Sequence, residues 1–76
     1  MANPILEQIR EILIPRLGEF ITDSTLRVNC ERIGTTPKKI IKLQLPELIK
    51  NLKLTLMLFL EEEEVEEVTQ KILSIK

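Results

Sequence analysis

The feature that most constrains this chain is an apolar run that meets an acidic run without any spacer. Six of the seven residues at 54–60 are large and apolar, and six of the seven at 61–67 are glutamate. A helical segment that is apolar on every face must be shielded from water, either inside its own chain or by a partner. Glutamates are almost never fully buried, so the second run must stay solvated. The contrast predicts more about architecture than about chemistry.

The length of the chain limits how much apolar surface it can bury. Its 76 residues predict one domain, residues 1–76, and a chain of this size buries only about 60% of the surface that its unfolded form exposes. One cysteine and no histidine provide neither an internal disulfide nor a zinc site. Only two residues are aromatic, so the core must come from Leu, Ile and Val. We therefore expect self-association as the route to further burial.

The N-terminal third carries helix signals interrupted by a proline. Asn3 is a candidate N-cap with Pro4 at the first helical position, and apolar residues follow at helical spacing at Ile5, Ile9, Ile12 and Leu13. Pro15 cancels one backbone hydrogen bond and disfavours helical geometry in the residue before it. The first helix is therefore predicted to kink or stop there, with a short second piece from Pro15 to about Ile21.

The middle of the chain predicts two further helices. Asp23 or Ser24 can cap the first of them, whose apolar face is Leu26, Cys30 and Ile33, and Gly34 suits its C-terminal cap. A second start signal, residues 35–37, predicts a short helix through about Lys42.

The C-terminal half predicts two helices with a break between them. Pro46 begins a helix whose apolar positions are Leu48, Ile49, Leu52, Leu56, Phe59 and Leu60. Residues 52–60 also alternate as a strand would, but their leucine-rich composition favours a helix. A turn at about residues 60–62 brings a second stripe back to the same core, formed by Val65, Val68, Ile72 and Ile75. The predicted fold is all-α, a small bundle of four to five short helices.

The surplus apolar residues of the run point to an interface. A single helix buries only one stripe, so Leu54, Met57 or Leu58 must face a second neighbour. The sequence therefore predicts a non-enzymatic protein–protein interaction module, a homodimer or larger homo-oligomer acting as an adaptor or regulatory protein.

Residues 29–42 support an alternative function. Asn29-Cys30-Glu31-Arg32-Ile33-Gly34-Thr35-Thr36-Pro37-Lys38-Lys39-Ile40-Ile41-Lys42 resembles the turn of helix-turn-helix proteins. The resemblance implies a DNA-binding regulator that presents Lys38, Lys39 and Lys42 to the groove. The second helix that the resemblance implies, however, ends within two turns and contains no Arg, Asn or Gln to read base edges. Nucleic acid is therefore not the partner we expect.

No constellation in the sequence predicts catalysis, a cofactor or a metal. Four consecutive helical glutamates, residues 61–64, radiate around the axis and do not converge on an ion. Cys30 lacks a histidine to activate it and is expected to be a buried structural thiol. Two glycines leave no phosphate-binding loop. We expect no small-molecule substrate.

The charge pattern argues against membranes and favours pairing between segments. The net charge is −1, so no overall field attracts nucleic acid or anionic lipid. No apolar run approaches the roughly 20 residues that span a bilayer, and the N-terminus lacks secretory features, so a cytoplasmic location is expected. Lys38, Lys39 or Lys53 can fold against the acidic run.

Overall fold

The computed structural model describes residues 3–76, which form four α-helices and two short 3₁₀ turns. The helices are α1 (Pro4–Leu17), α2 (Glu19–Arg32), α3 (Leu45–Leu56) and α4 (Glu62–Leu73), and the 3₁₀ turns are Pro37–Lys39 and Lys42–Gln44. The described residues contain no strand, so the strand interpretation of residues 52–60 is wrong. The predicted all-α bundle is confirmed.

The start of α1 matches the prediction and also serves a second purpose. The Asn3 side chain accepts hydrogen bonds from the backbone N–H groups of Ile5 (2.9 Å) and Leu6 (3.5 Å), which satisfies two donors of the first turn. Its Nδ2 donates to the carbonyls of Ile40 (2.7 Å) and Lys38 (3.2 Å). One side chain therefore caps α1 and ties it to the connection between α2 and α3.

Pro15 does not end the first helix, and the predicted short piece from Pro15 to Ile21 is wrong. The helix continues through Pro15 to Leu17 and ends at Gly18, whose φ is +83°. A proline in the last turn removes only one intrahelical bond, and the N–H of Gly18 still donates to the carbonyl of Ile14 at 2.8 Å. Because glycine adopts positive φ without steric strain, Gly18 is where the chain turns.

Helix α2 therefore begins earlier than predicted. It starts at Glu19 with Gly18 at the N-cap position, and neither Asp23 nor Ser24 acts as a cap because both lie inside the helix. Helix α2 folds back on α1, so Arg10 reaches Asp23 at 2.8 Å and Glu19 at 3.0 Å.

The end of α2 follows the prediction. Gly34 has φ +81°, its N–H donates to the carbonyl of Glu31 (3.1 Å), and the N–H of Thr35 donates to the carbonyl of Cys30 (2.9 Å). This pair of bonds is the Schellman motif, in which a residue with positive φ satisfies the last carbonyls of a helix. The predicted apolar face is confirmed, with Leu26 and Cys30 buried and Ile33 packed against them.

The predicted helix through Lys42 is wrong. The chain instead forms two separate 3₁₀ turns, and Ile40 between them is extended, with φ −60° and ψ 137°. Ile40 is buried. A continuous helix would fix the direction of this side chain by its period of 3.6 residues, whereas the extended residue lets Ile40 enter the core while its neighbours on both sides remain in solvent.

The predicted break between the last two helices is confirmed, although α3 ends at Leu56, before the apolar run is complete. Helix α4 begins at Glu62, and its predicted stripe of Val65, Val68 and Ile72, together with Ile75 beyond its end, is buried. Phe59 was predicted to lie on the buried face of α3, which is wrong, because it lies beyond the end of α3 and is exposed.

One apolar core lies between the four helices. Aliphatic side chains and one thiol fill it, namely Ile9, Leu13, Leu26, Cys30, Ile40, Leu45, Leu48, Ile49, Leu52, Leu56, Val65, Val68, Ile72 and Ile75. None of the described helices has both the length and the apolar character needed to cross a bilayer.

Candidate protein-interaction surface

Three predicted interface residues, with Phe59, form one exposed surface where α3 passes into α4. We call it the turn face, and it consists of Leu54, Met57, Leu58 and Phe59. These side chains are 66%, 57%, 79% and 51% exposed, respectively. Leu54 is exposed because it lies two residues, or about 200° of helical rotation, from the buried Leu52.

The backbone under the turn face is held by hydrogen bonds. The N–H of Met57 donates to the carbonyl of Lys53, that of Leu58 to Thr55, and that of Phe59 to Leu56, each at 3.0 Å. Because the backbone groups of this turn are paired, the side chains stand on a defined scaffold. The turn face is therefore a fixed feature of the surface.

A groove beside α2 extends the turn face. It has a volume of about 330 Å³ and runs between one side of α2 and the end of α3, lined by Ile21, Ser24, Thr25, Val28, Arg32, Thr55, Leu58 and Phe59. Val28 is exposed at its edge. The apolar surface thus continues from the turn onto α2, with Arg32 at its margin.

A buried polar contact lies beneath this groove. Asn29 is fully buried, and its Nδ2 donates to the carbonyl of Thr25 (2.8 Å) and to Oγ1 of Thr55 (3.2 Å). Its Oδ1 and the buried Oγ1 of Thr22 have no hydrogen-bond partner among the described residues. Because burying a polar group without a hydrogen bond costs free energy, the Asn29–Thr55 bond favours one position of the end of α3 on α2.

Ion pairs attach the acidic run to the bundle through a residue that sequence reasoning missed. Arg16, in the last turn of α1, contacts Glu64 at 3.1 Å and Glu67 at 2.9 Å. The hydrogen bond from Lys71, followed by the attraction of Arg16, lowers the pKa of the Glu67 carboxyl. The apolar pattern of α1 does not predict the contact of Arg16 with the acidic run, because that contact depends on how α1 packs against α4.

The predicted lysine partners of the acidic run are only partly found. Lys53 contacts Glu66 at 3.3 Å, as predicted. Lys38 and Lys39 make no ion pair within residues 3–76. They lie in the first 3₁₀ turn, which the Asn3 contacts place beside the start of α1, whereas the acidic run lies beside the end of α1.

The lysines of the DNA-binding alternative do not share a helix. Lys38 and Lys39 lie in the first 3₁₀ turn and Lys42 in the second, with the extended Ile40 between the turns. All three lysines are exposed. A recognition helix lies in the major groove as one continuous element, and residues 37–44 do not form one. DNA binding through residues 29–42 stays a prediction that this geometry does not favour.

A larger groove on the other side of α2 is lined by both apolar and charged side chains. Its volume is about 850 Å³, and its apolar lining includes Leu6, Phe20 and Leu26. Arg10, on its wall, is already engaged by Glu19 and Asp23. The groove therefore combines an ion-pair network with apolar side chains.

The remaining candidate for reactivity is Cys30. It is a free, buried cysteine, and burial raises the pKa of its thiol to about 11. Since the thiolate is the nucleophilic form, this thiol stays protonated and inert at neutral pH. Within residues 3–76, His, Cys, Asp and Glu side chains form no group of three or more that could hold a metal ion.

Comparison with protein-family models, with curated proteins and with solved structures found no match to this chain.

Proposed function

We propose that this protein is a non-enzymatic association module that pairs with a second copy of itself through the turn face, as a homodimeric adaptor or regulatory protein of the cytoplasm. The observation that carries the proposal is four large apolar side chains exposed within six residues of the chain: Leu54 in the last turn of α3, and Met57, Leu58 and Phe59 in the hydrogen-bonded turn after it. Isolated exposed apolar residues are ordinary on protein surfaces, but a contiguous patch on a small domain indicates an interaction site.

The size of the patch fits a dimer interface. At roughly 200 Å² for each fully exposed side chain of this size, the four residues together expose on the order of 500 Å². A stable interface buries about 800 Å² on each partner, and the adjoining groove along α2 supplies further apolar area from Ile21 and Val28. The turn face contains no charged residue, which is the composition of an interface core.

A second copy is the favoured partner because of the size of the chain. A domain of 76 residues has a small core and gains stability from burial between subunits. In a symmetric dimer each copy contributes the same patch, so one apolar face is sufficient to build the whole interface.

The test is sedimentation of the wild-type protein at tens of micromolar, beside two variants with the same substitution. Leu58→Glu places a charge in the turn face and is expected to sediment as a monomer with an unchanged circular dichroism spectrum, because Leu58 is not part of the core. Leu43→Glu is the matched control, since Leu43 is 88% exposed and lies in the second 3₁₀ turn.

Sedimentation of the wild type and the two variants distinguishes three outcomes for the proposed dimer. A wild-type dimer that Leu58→Glu disperses and Leu43→Glu leaves intact supports the proposal. A wild-type protein that stays monomeric at several hundred micromolar overturns it. A dimer that both variants leave intact shows that the copies associate through another surface, and this also overturns the proposal.

A further inference from the structure

Opposite charges lie at the two ends of the apolar surface formed by the turn face and its groove. Arg32, in the last turn of α2, is exposed and lines one end of the groove. Glu61, Glu62 and Glu63 are exposed at the start of α4 and follow the turn face in the chain. Within residues 3–76 none of these four side chains makes an ion pair.

Contacts inside the bundle fix which end of the surface is acidic. Arg16, near the end of α1, contacts Glu64 and Glu67 of α4, and α2 begins directly after α1. The first turn of α2, which contains Ile21 of the groove, therefore lies at the acidic end. Arg32 lies 13 residues beyond the start of α2 at Glu19, a distance of about 20 Å along the helix, so it marks the other end.

We infer that two copies pair about a two-fold axis through the turn face, so that Arg32 of each copy meets the Glu61–Glu63 segment of the other. This inference rests on the proposed self-association and specifies its orientation. The two-fold axis of this dimer lies in the interface at right angles to the long direction of the surface, and such an axis exchanges the two ends of that surface. The basic end of one copy then lies over the acidic end of the other, twice in each dimer.

The charges select this arrangement over a parallel one. If the two surfaces met in the same direction, Glu61, Glu62 and Glu63 of both copies would face each other, and like charges across an interface are strongly unfavourable. Charged residues at the margin of an interface mainly determine its orientation and specificity, while its apolar centre provides most of the affinity. Arg32 and the three glutamates are therefore specificity-determining residues of the dimer, surrounding an apolar centre at Leu58.

The test uses two variant chains, each of which has the charge of one side of the proposed contact reversed. One variant carries Arg32→Glu, and the other carries Glu61→Lys together with Glu62→Lys. In either homodimer both contacts become repulsive, and association at low salt is expected to weaken by about tenfold or more. In an equimolar mixture each contact again joins opposite charges, so heterodimers are expected to form with an affinity close to that of the wild type.

Two controls accompany the mixture. Lys39→Glu reverses an exposed charge in the first 3₁₀ turn, beside the start of α1, and is expected to leave association unchanged. Glu61→Lys together with Glu63→Lys gives residues 61–63 the same net charge, and this variant replaces the first double variant if that one fails to fold. Circular dichroism of each chain verifies folding, since charge reversal near a helix end also affects the helix itself.

The outcomes distinguish this inference from the function on which it rests. Weak homodimers and restored heterodimers support it. Weakening that mixing does not reverse shows that the charges act within one chain, and unchanged dimers in every variant show that they do not meet; either result overturns the inference and leaves self-association standing. A monomeric wild-type protein overturns both.

Discussion

Leu56 and Leu58 are the same residue type two positions apart, yet one is fully buried and the other is 79% exposed. Leu56 is the last residue of α3 and continues the buried stripe of Leu48 and Leu52. Leu58 lies in the hydrogen-bonded turn that follows. The apolar run therefore has two parts, one that stabilises the fold and one that is available to a partner. Hydrophobic character alone does not distinguish the two parts; the face of α3 on which a residue lies and the end of α3 at Leu56 do, since Leu54 is exposed inside the helix and Leu58 beyond it.

The largest expected difference between these parts is in stability. Leu56→Ala removes a fully buried side chain and leaves a cavity, and it should lower the free energy of unfolding by about 2–5 kcal/mol. Leu54→Ala is the matched control on the turn face and should change it by about 0.5 kcal/mol or less. Urea unfolding of both variants at a protein concentration low enough for the wild type to be monomeric measures both values without a contribution from association. Equal losses of unfolding free energy in the two variants would contradict the division of the apolar run into a buried part and an exposed part.

A smaller loss of stability is expected from substitutions at the Asn29–Thr55 contact, which lies where the buried part of the run meets the exposed part. Asn29→Ala removes the buried hydrogen bonds to Thr25 and Thr55, and it should lower the free energy of unfolding by about 1–3 kcal/mol. Thr55→Val removes only one of the two acceptors of Asn29 and should lower it by about 0.5–1.5 kcal/mol. The same urea titration compares them. If Asn29→Ala were neutral, this contact would not determine how the end of α3 sits on α2.

The smallest expected effect on stability comes from the ion pairs that attach the start of α4 to the end of α1. Arg16→Gln removes both the Glu64 and the Glu67 contacts, and because these side chains are partly exposed the loss should total about 1 kcal/mol or less. The melting temperature of the wild type should fall with added salt, as screening weakens the pairs, and that of the variant should fall less. Lys53→Gln, which removes only the contact with Glu66, is the control. A melting temperature independent of salt in the wild type would argue against a role for Arg16.

Local signals predicted much of the fold correctly. The Asn3 cap, the Gly34 helix end and the break before the acidic run each depend on residues close together in the chain, and each is confirmed. The exposure of Leu54 agrees with the argument that one helix buries only one stripe, whereas Met57 and Leu58 are exposed in the turn beyond α3. Their role as an interface stays a prediction.

Two predicted elements, the short piece after Pro15 and the helix through Lys42, are wrong because a local signal does not decide the structure there. Pro15 is a strong helix breaker in isolation, but near the end of α1 it removes a single bond, and Gly18 provides the turn. Residues 37–42 contain a helix start signal, but burial of Ile40 between two 3₁₀ turns overrides it. At Ile40 burial outweighs the local helix signal, whereas at Pro15 the helix continues because the proline costs it a single hydrogen bond.

The sequence by itself determined the fold class, the composition of the core and the stripe of each long helix, because hydrophobic periodicity and helix caps act over one or two turns. Only the tertiary structure decided that Arg16 holds the acidic run, that Asn29 lies beneath the groove and that Phe59 belongs to the turn face. The Arg16 and Asn29 contacts depend on the distance between elements far apart in the chain, and the exposure of Phe59 depends on where packing ends α3. That distance is set by how the helices pack, which no local pattern encodes.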